Sequence, residues 1–201
     1  MAWARNGTPN TLSATADDID ITDLTAKKFN VFLAHTFRTS GSSANLLHNY
    51  TFDDNGNTDY AYRRQSLGAA DTTATSVAAH MPGQQNELFE VGYVVNIDGE
   101  EKLGIMQGTG LSTAGSGTAP EDRVETVFKC DTSTNTGQFT RVDLRNSLAG
   151  SDFDTGSNFS VLTGDETETA TLQNGTIFEE TDTNKAYIWN ATTKTWTQLW
   201  C

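Results

Sequence analysis

The densest set of oxygen ligands in the chain lies in the run Asp53-Asp54-Asn55-Gly56-Asn57-Thr58-Asp59. Asp53, Asn55, Asn57 and Asp59 alternate, and carboxylate and amide oxygens at alternate positions are what a calcium loop supplies. The spacing departs from an EF-hand. Thr58 stands where the sharp-turn glycine belongs, and no glutamate closes the loop. The run also holds Asn55-Gly56, a strong hairpin-turn pair. A turn stitched by Asx hydrogen bonds is the preferred reading, with these four residues as a weak calcium candidate. No cofactor is otherwise expected.

The remaining reactive side chains are scattered. His35, His48 and His80 show no H-x-H or H-E-x-x-H spacing, so zinc is not expected. His35 falls on the apolar face of a strand-like run and reads as a satisfied core or interface histidine. Cys130 sits in Val127-Phe128-Lys129-Cys130 and reads as a buried free thiol, with a bridge to the terminal Cys201 left open. Arg63-Arg64 is expected to place one guanidinium in a buried pair with an aspartate and the other in solvent. There is no G-x-S-x-G elbow, P-loop or dinucleotide fingerprint, and no acidic pair stands out as a glycosidase dyad. No catalytic residue is assigned, and the chain reads as non-enzymatic.

The elements that must position these groups are strands. The 201 residues are 36% apolar with only three prolines. That suits one β domain plus a small appendage. Alternating or β-prone runs occur at 18–24, 28–37, 49–52, 60–64, 87–97, 101–107, 123–129, 138–144 and 159–162. Residues 71–79 read as loop or weak strand. The run 101–107 reads as the hairpin partner of 87–97, and 138–144 as that of 123–129. Eight or nine antiparallel strands close into an all-β, jelly-roll-like sandwich. Three segments are expected: an N-terminal arm at 1–17, the sandwich at 18–163, and an acidic linker with a small β hairpin or meander at 164–201.

The formal charge is -13 at pH 7. Phosphate recognition uses lysine and arginine, so nucleic acid is not an expected partner. No run approaches a signal peptide or the roughly 20 apolar residues of a membrane span. No membrane partner is expected, and synthesis in a host cytoplasm is.

Two sets of motifs carry a resemblance. NGTIFEETDTNKAYIWNATTKTW at 174–196 is similar to a short C-terminal element of tailed-bacteriophage structural proteins. FDDNGNTDYAYRR at 52–64, GAADTT at 68–73, VVNIDGEEKLGI at 94–105, APEDRVETVFK at 119–129 and GSNFSVL at 156–162 resemble, in order, a family of tailed-phage virion structural proteins. The family usually has Asn at the place of Asp53, and often Trp near Phe128. The resemblance spans most of residues 18–199 and implies a virion protein.

Acidity suits the outside of a DNA-filled particle. The leading expectation is therefore a capsid decoration, or cement, protein on the outer head surface. Its partners would be the major capsid protein or other virion proteins, and further copies of itself, with a trimer as the guessed oligomer. A tail fibre, spike or adhesion component binding host glycan is the alternative, and a free carbohydrate-binding module the second. The C-terminal unit is too small for its own core. Its Tyr187, Ile188, Trp189 and Trp196 are expected to be buried against the main domain or a neighbouring copy, as an interface.

Overall fold

A computed structural model describes residues 3–39, 46–82, 86–111, 115–117, 119–120, 122–131, 137–146, 151–164, 174–180, 185–190, 192–193 and 195–200. The expected acidic linker and Cys201 lie outside the described residues. The rest divide into two compact units, Trp3–Gly164 and the C-terminal sheet that follows. There is no helix among the described residues.

The body contains β1 (Ala4–Thr11), β2 (Asp18–Ile21), β3 (Phe29–Phe37), β4 (Leu47–Phe52), β5 (Tyr60–Ser66), β6 (Thr72–Ser76), β7 (Ala79–Pro82), β8 (Glu87–Val95), β9 (Lys102–Leu111), β10 (Asp122–Cys130), β11 (Val142–Asn146) and β12 (Asn158–Gly164). They form an eight-stranded sheet, β1-β12-β3-β8-β9-β10-β5-β6, and a four-stranded sheet, β2-β11-β4-β7. The antiparallel pairs β1–β12, β2–β11, β3–β8 and β4–β7 alternate between the sheets. They are the two arms of one long hairpin wrapped over itself, which is a jelly roll. The inserted strands β5, β6, β9 and β10 extend the larger sheet beyond β8.

The core follows from alternation. β3 buries Phe32, Ala34 and Thr36 on one side, and β12 buries Phe159 and Val161. The four-stranded sheet answers with Ile19, Ile21, Tyr50, Phe52, Val142 and Leu144. Aromatic rings knit the layers. Phe52 stacks on Phe139 at 4.5 Å, and Phe32 meets Phe159 edge-on at 5.8 Å.

Two buried polar side chains fix chain reversals. Asn96 Nδ2 donates to the carbonyls of Lys27 and Phe139, and its Oδ1 accepts the Phe139 N–H at 2.9 Å. Lys102 is buried and donates its ammonium to the carbonyls of Ile97 (2.6 Å) and Glu100 (3.0 Å), closing the β8–β9 turn. Burial lowers the Lys102 pKa from its ordinary value.

Several expectations change. Residues 4–11 are not an arm: they pair with β12 as an edge strand of the sandwich. Polar composition hid this, because an edge strand needs only its backbone and one half-buried face. The run 138–144 is not the partner of 123–129. β10 lies between β9 and β5, and β11 lies in the other sheet between β2 and β4. The Asn96 latch holds Phe139 in the core and carries the chain across to the second layer. Residues 71–79 supply β6 and the start of β7, one in each sheet.

Candidate interaction surfaces

The turn 52–59 is built by its aspartates. Asp53 and Asp54 take φ of 49° and 58°, and the Asn55 N–H closes on the Phe52 carbonyl at 3.0 Å. The reversal thus falls on Asp53-Asp54 and not on Asn55-Gly56. Aspartate tolerates this left-handed region better than most residues. Asp53 Oδ1 accepts the N–H groups of Thr140 (2.9 Å) and Arg141 (3.0 Å). Asn55 Oδ1 accepts the Asn57 N–H, and Asn55 Nδ2 donates to Asp59 Oδ2, both at 2.9 Å. One oxygen each of Asp53, Asn55 and Asp59 thus accepts an N–H of the protein. Among the described residues, no three His, Cys, Asp or Glu side chains are placed to hold a metal.

Beside this turn, the outer face of the four-stranded sheet carries a charge network. Asp20 and Asp143 face each other across β2 and β11. Arg141 bonds both, reaching Asp20 at 3.1 Å. Arg145 pairs with Asp54 and approaches Asp18 at 3.6 Å. Asp143 is fully buried, and Asp20 Oδ1 is buried without a hydrogen-bond partner. Burial, then the Asp143 charge, push Asp20 up to about 6. A carboxyl raised above its unfolded 3.8 binds more protons when folded. Its contribution to stability is complete below 3.8 and is lost as pH rises through about 6. Asp20→Asn is therefore expected to stabilise the protein at neutral pH by about 1 kcal/mol, after discounting for solvent around this half-buried group. Urea midpoints measured across pH should converge with wild type in acid. A loss of stability at neutral pH would show that the Arg141 pair outweighs the repulsion.

A second polar cluster lies inside the sandwich. Thr36 Oγ1 is 2.9 Å from His48 Nε2, and His48 Nδ1 is 2.8 Å from Glu90 Oε2. The Tyr50 hydroxyl donates to the same Glu90 oxygen at 2.6 Å. Hydroxyl, imidazole and carboxylate in a row are the groups of acyl-transfer catalysis. Here Thr36 and His48 are 0% exposed and Glu90 1%, so no substrate reaches them. The network ties β3 and β8 to β4 across the layers.

His35, expected in a core or interface, lies on the outer face, 45% exposed and 2.7 Å from Glu87. Arg63 pairs at 3.1 Å with an exposed Asp71, so the expected buried pair does not form. Arg64 bonds Thr72 and covers the Tyr62 ring. Cys130 is a buried free thiol, pushed up to about 11 mainly by burial.

One apolar surface had no counterpart in the sequence-based expectations. Across the outer face of the eight-stranded sheet, Leu162, Val31, Tyr93, Ile105 and Val127 stand side by side in register. Val95 and Leu103 pair in a neighbouring row. Tyr93 is 56% exposed, Leu103 53%, Ile105 49%, Phe89 46% and Val127 40%. Contiguous apolar patches on this scale mark contact surfaces. The available signal was apolar residues on both faces of β8, which indicates a strand covered from both sides. Next to the patch, Phe89 lines a shallow groove with Gln107, Thr109, Arg123 and Glu125.

The C-terminal unit consists of β13 (Ile177–Glu180), β14 (Lys185–Asn190) and β15 (Thr195–Trp200), in that order. Strand alternation and register place Phe178, Tyr187, Trp189 and Trp196 on one face. Their rings touch, Phe178–Trp196 at 6.1 Å and Trp189–Trp196 at 5.3 Å. Ile188 pairs with Ile177 on the opposite face. Three of the four expected interface residues thus share a face, and Ile188 does not. Trp196 is 39% exposed, Phe178 51% and Ile177 61%. The sheet is apolar on both sides.

Compared with protein-family models, curated proteins and solved structures, the chain matches none.

Proposed function

We propose that the protein is a non-enzymatic structural component of a tailed-phage virion, a decoration protein on the outer capsid surface. The observation that carries the reading is an exposed apolar face on each of the two units of an acidic chain. One lies on the jelly-roll body around Tyr93 and Ile105, the other on the C-terminal sheet around Phe178 and Trp196. A protein with an adhesive face on each unit can bridge neighbouring subunits. Repetition around symmetry axes multiplies contacts that are weak singly. The motifs that resemble phage structural proteins and the charge of -13 support the same reading. The partners are the major capsid protein and further copies of the chain.

Cryo-electron microscopy of particles carrying labelled protein tests the location. Signal confined to the tail tip rejects the decoration role. Trp189→Ala with Trp196→Ala is expected to lower capsid occupancy at least tenfold, because aromatic anchors dominate such contacts at about 2 kcal/mol or more each. Unchanged occupancy would remove the C-terminal sheet from the docking surface.

The groove beside Phe89 favours a second reading, glycan adhesion from the tail. It sets an exposed ring beside the polar side chains of Gln107, Arg123 and Glu125. Selective binding on a glycan array that Phe89→Ala abolishes would establish it.

A further inference from the structure

Among the described residues, the body has four sheet edges: β1 and β6 in the larger sheet, β2 and β7 in the smaller. A free edge offers unpaired N–H and C=O groups, and folded proteins blunt such edges with charge, proline, bulges or shortness. β1 carries Arg5, Pro9 and a register shift between Asn6 and Asn10. β2 has four residues, two of them Asp18 and Asp20. β7 has four and ends at Pro82. β6 carries none of these devices. Thr72-Thr73-Ala74-Thr75-Ser76 has no charge and no proline, and its first four residues are exposed.

We propose that β6 is a dimerisation edge that pairs antiparallel with β6 of a second copy. The sequence is its own complement. With Ala74 on the two-fold axis, Thr73 faces Thr75 of the second copy and Thr72 faces Ser76. Threonine pairs across antiparallel strands are favourable, and identical patches meeting across a two-fold form a closed dimer. Charge selects the same occupant. In a chain of net charge -13, most surfaces of two copies repel, whereas residues 72–76 bring no charge to the contact. The adjacent Asp71 is already paired with Arg63. Leu67 and Val77, 61% and 49% exposed, flank the strand at either end and gain cover from a second copy. Pairing would join two eight-stranded sheets into one. The contact is two-fold, so it is separate from any trimer the chain forms, and it does not depend on a virion role.

The test uses the full chain and sedimentation equilibrium at rising concentration. Wild type is expected to dimerise. Thr73→Lys with Thr75→Lys places like charges opposite each other twice and should weaken the dimer about tenfold. Thr73→Lys with Thr75→Glu places opposite charges across the same axis and should restore it. Both positions of this test are exposed on the strand, and circular dichroism checks that the variants fold. Amide exchange gives an independent readout: residues 72–76 should be slowed in wild type at high concentration and fast in the double-lysine variant. A wild type that stays monomeric, or a dimer indifferent to the lysines, overturns the proposal. So does a lysine–glutamate variant no tighter than the double-lysine one.

Discussion

Replacing His48 with leucine is expected to destabilise the protein by about 3 kcal/mol, because it strips the buried Thr36 hydroxyl and the buried Glu90 side chain of a polar neighbour. Glu90 is 1% exposed, and its Oε1 already lacks a hydrogen-bond partner. The Tyr50 hydroxyl donates to its Oε2 at 2.6 Å. The edge contact between His48 and Phe153, 5.3 Å between centroids, would also go. Apolar replacement of the whole set should behave differently. A variant combining His48→Leu, Tyr50→Phe and Glu90→Met removes the polar groups together with their partners. It is expected to recover to within about 1 kcal/mol of wild type, since replacing both partners of a buried polar contact by apolar groups of similar shape can be nearly neutral. Urea denaturation followed by circular dichroism gives both values. A loss below about 1 kcal/mol for His48→Leu would mean that the cluster does not hold the layers together.

This network shows where sequence reading reaches its limit. The all-β class, the sandwich and the small C-terminal sheet were legible, because alternation and turn chemistry are local signals. Pairing between distant segments was not. His48 and Glu90 lie 42 positions apart and meet only because β4 and β8 occupy opposite layers. His35 drew attention because it lies among Phe29, Val31, Leu33 and Phe37, yet that apolar face is the outer one. Apolar periodicity identifies a face without saying which side of the sheet is inside. In the C-terminal unit the aromatic cluster was legible, since Tyr187, Trp189 and Trp196 follow a local hairpin register.

Strand β9 makes the same point and supplies the second large effect. Its apolar residues Leu103 and Ile105 face outward, while Lys102, Gly104, Met106, Gly108 and Gly110 face in. Gly104 is there because β10 fills the space. Phe128 lies opposite Gly104 in register, 5% exposed, with its ring over the glycine. A Cβ on residue 104 would fall 2.2 Å from Phe128 Cε1 and Cζ. The ring cannot yield easily, because it packs on Phe52, and Phe52 is stacked on Phe139 at 4.5 Å. Gly104→Ala is therefore expected to destabilise by about 3 kcal/mol, the upper range for overpacking a close-packed core. Gly92→Ala is the control. Its Cβ would meet the flexible Met106 side chain at 3.3 Å, and a loss of about 1 kcal/mol or less is expected. Phe128→Leu removes the ring atoms in conflict, so Gly104→Ala combined with Phe128→Leu should be less destabilised than the sum of the two single variants. Strict additivity, or a Gly104→Ala variant as stable as wild type, would show that β9 and β10 do not meet in this register. The glycine at 104 would then lose its cause: the strand has no side chain there because the aromatic core already occupies that space.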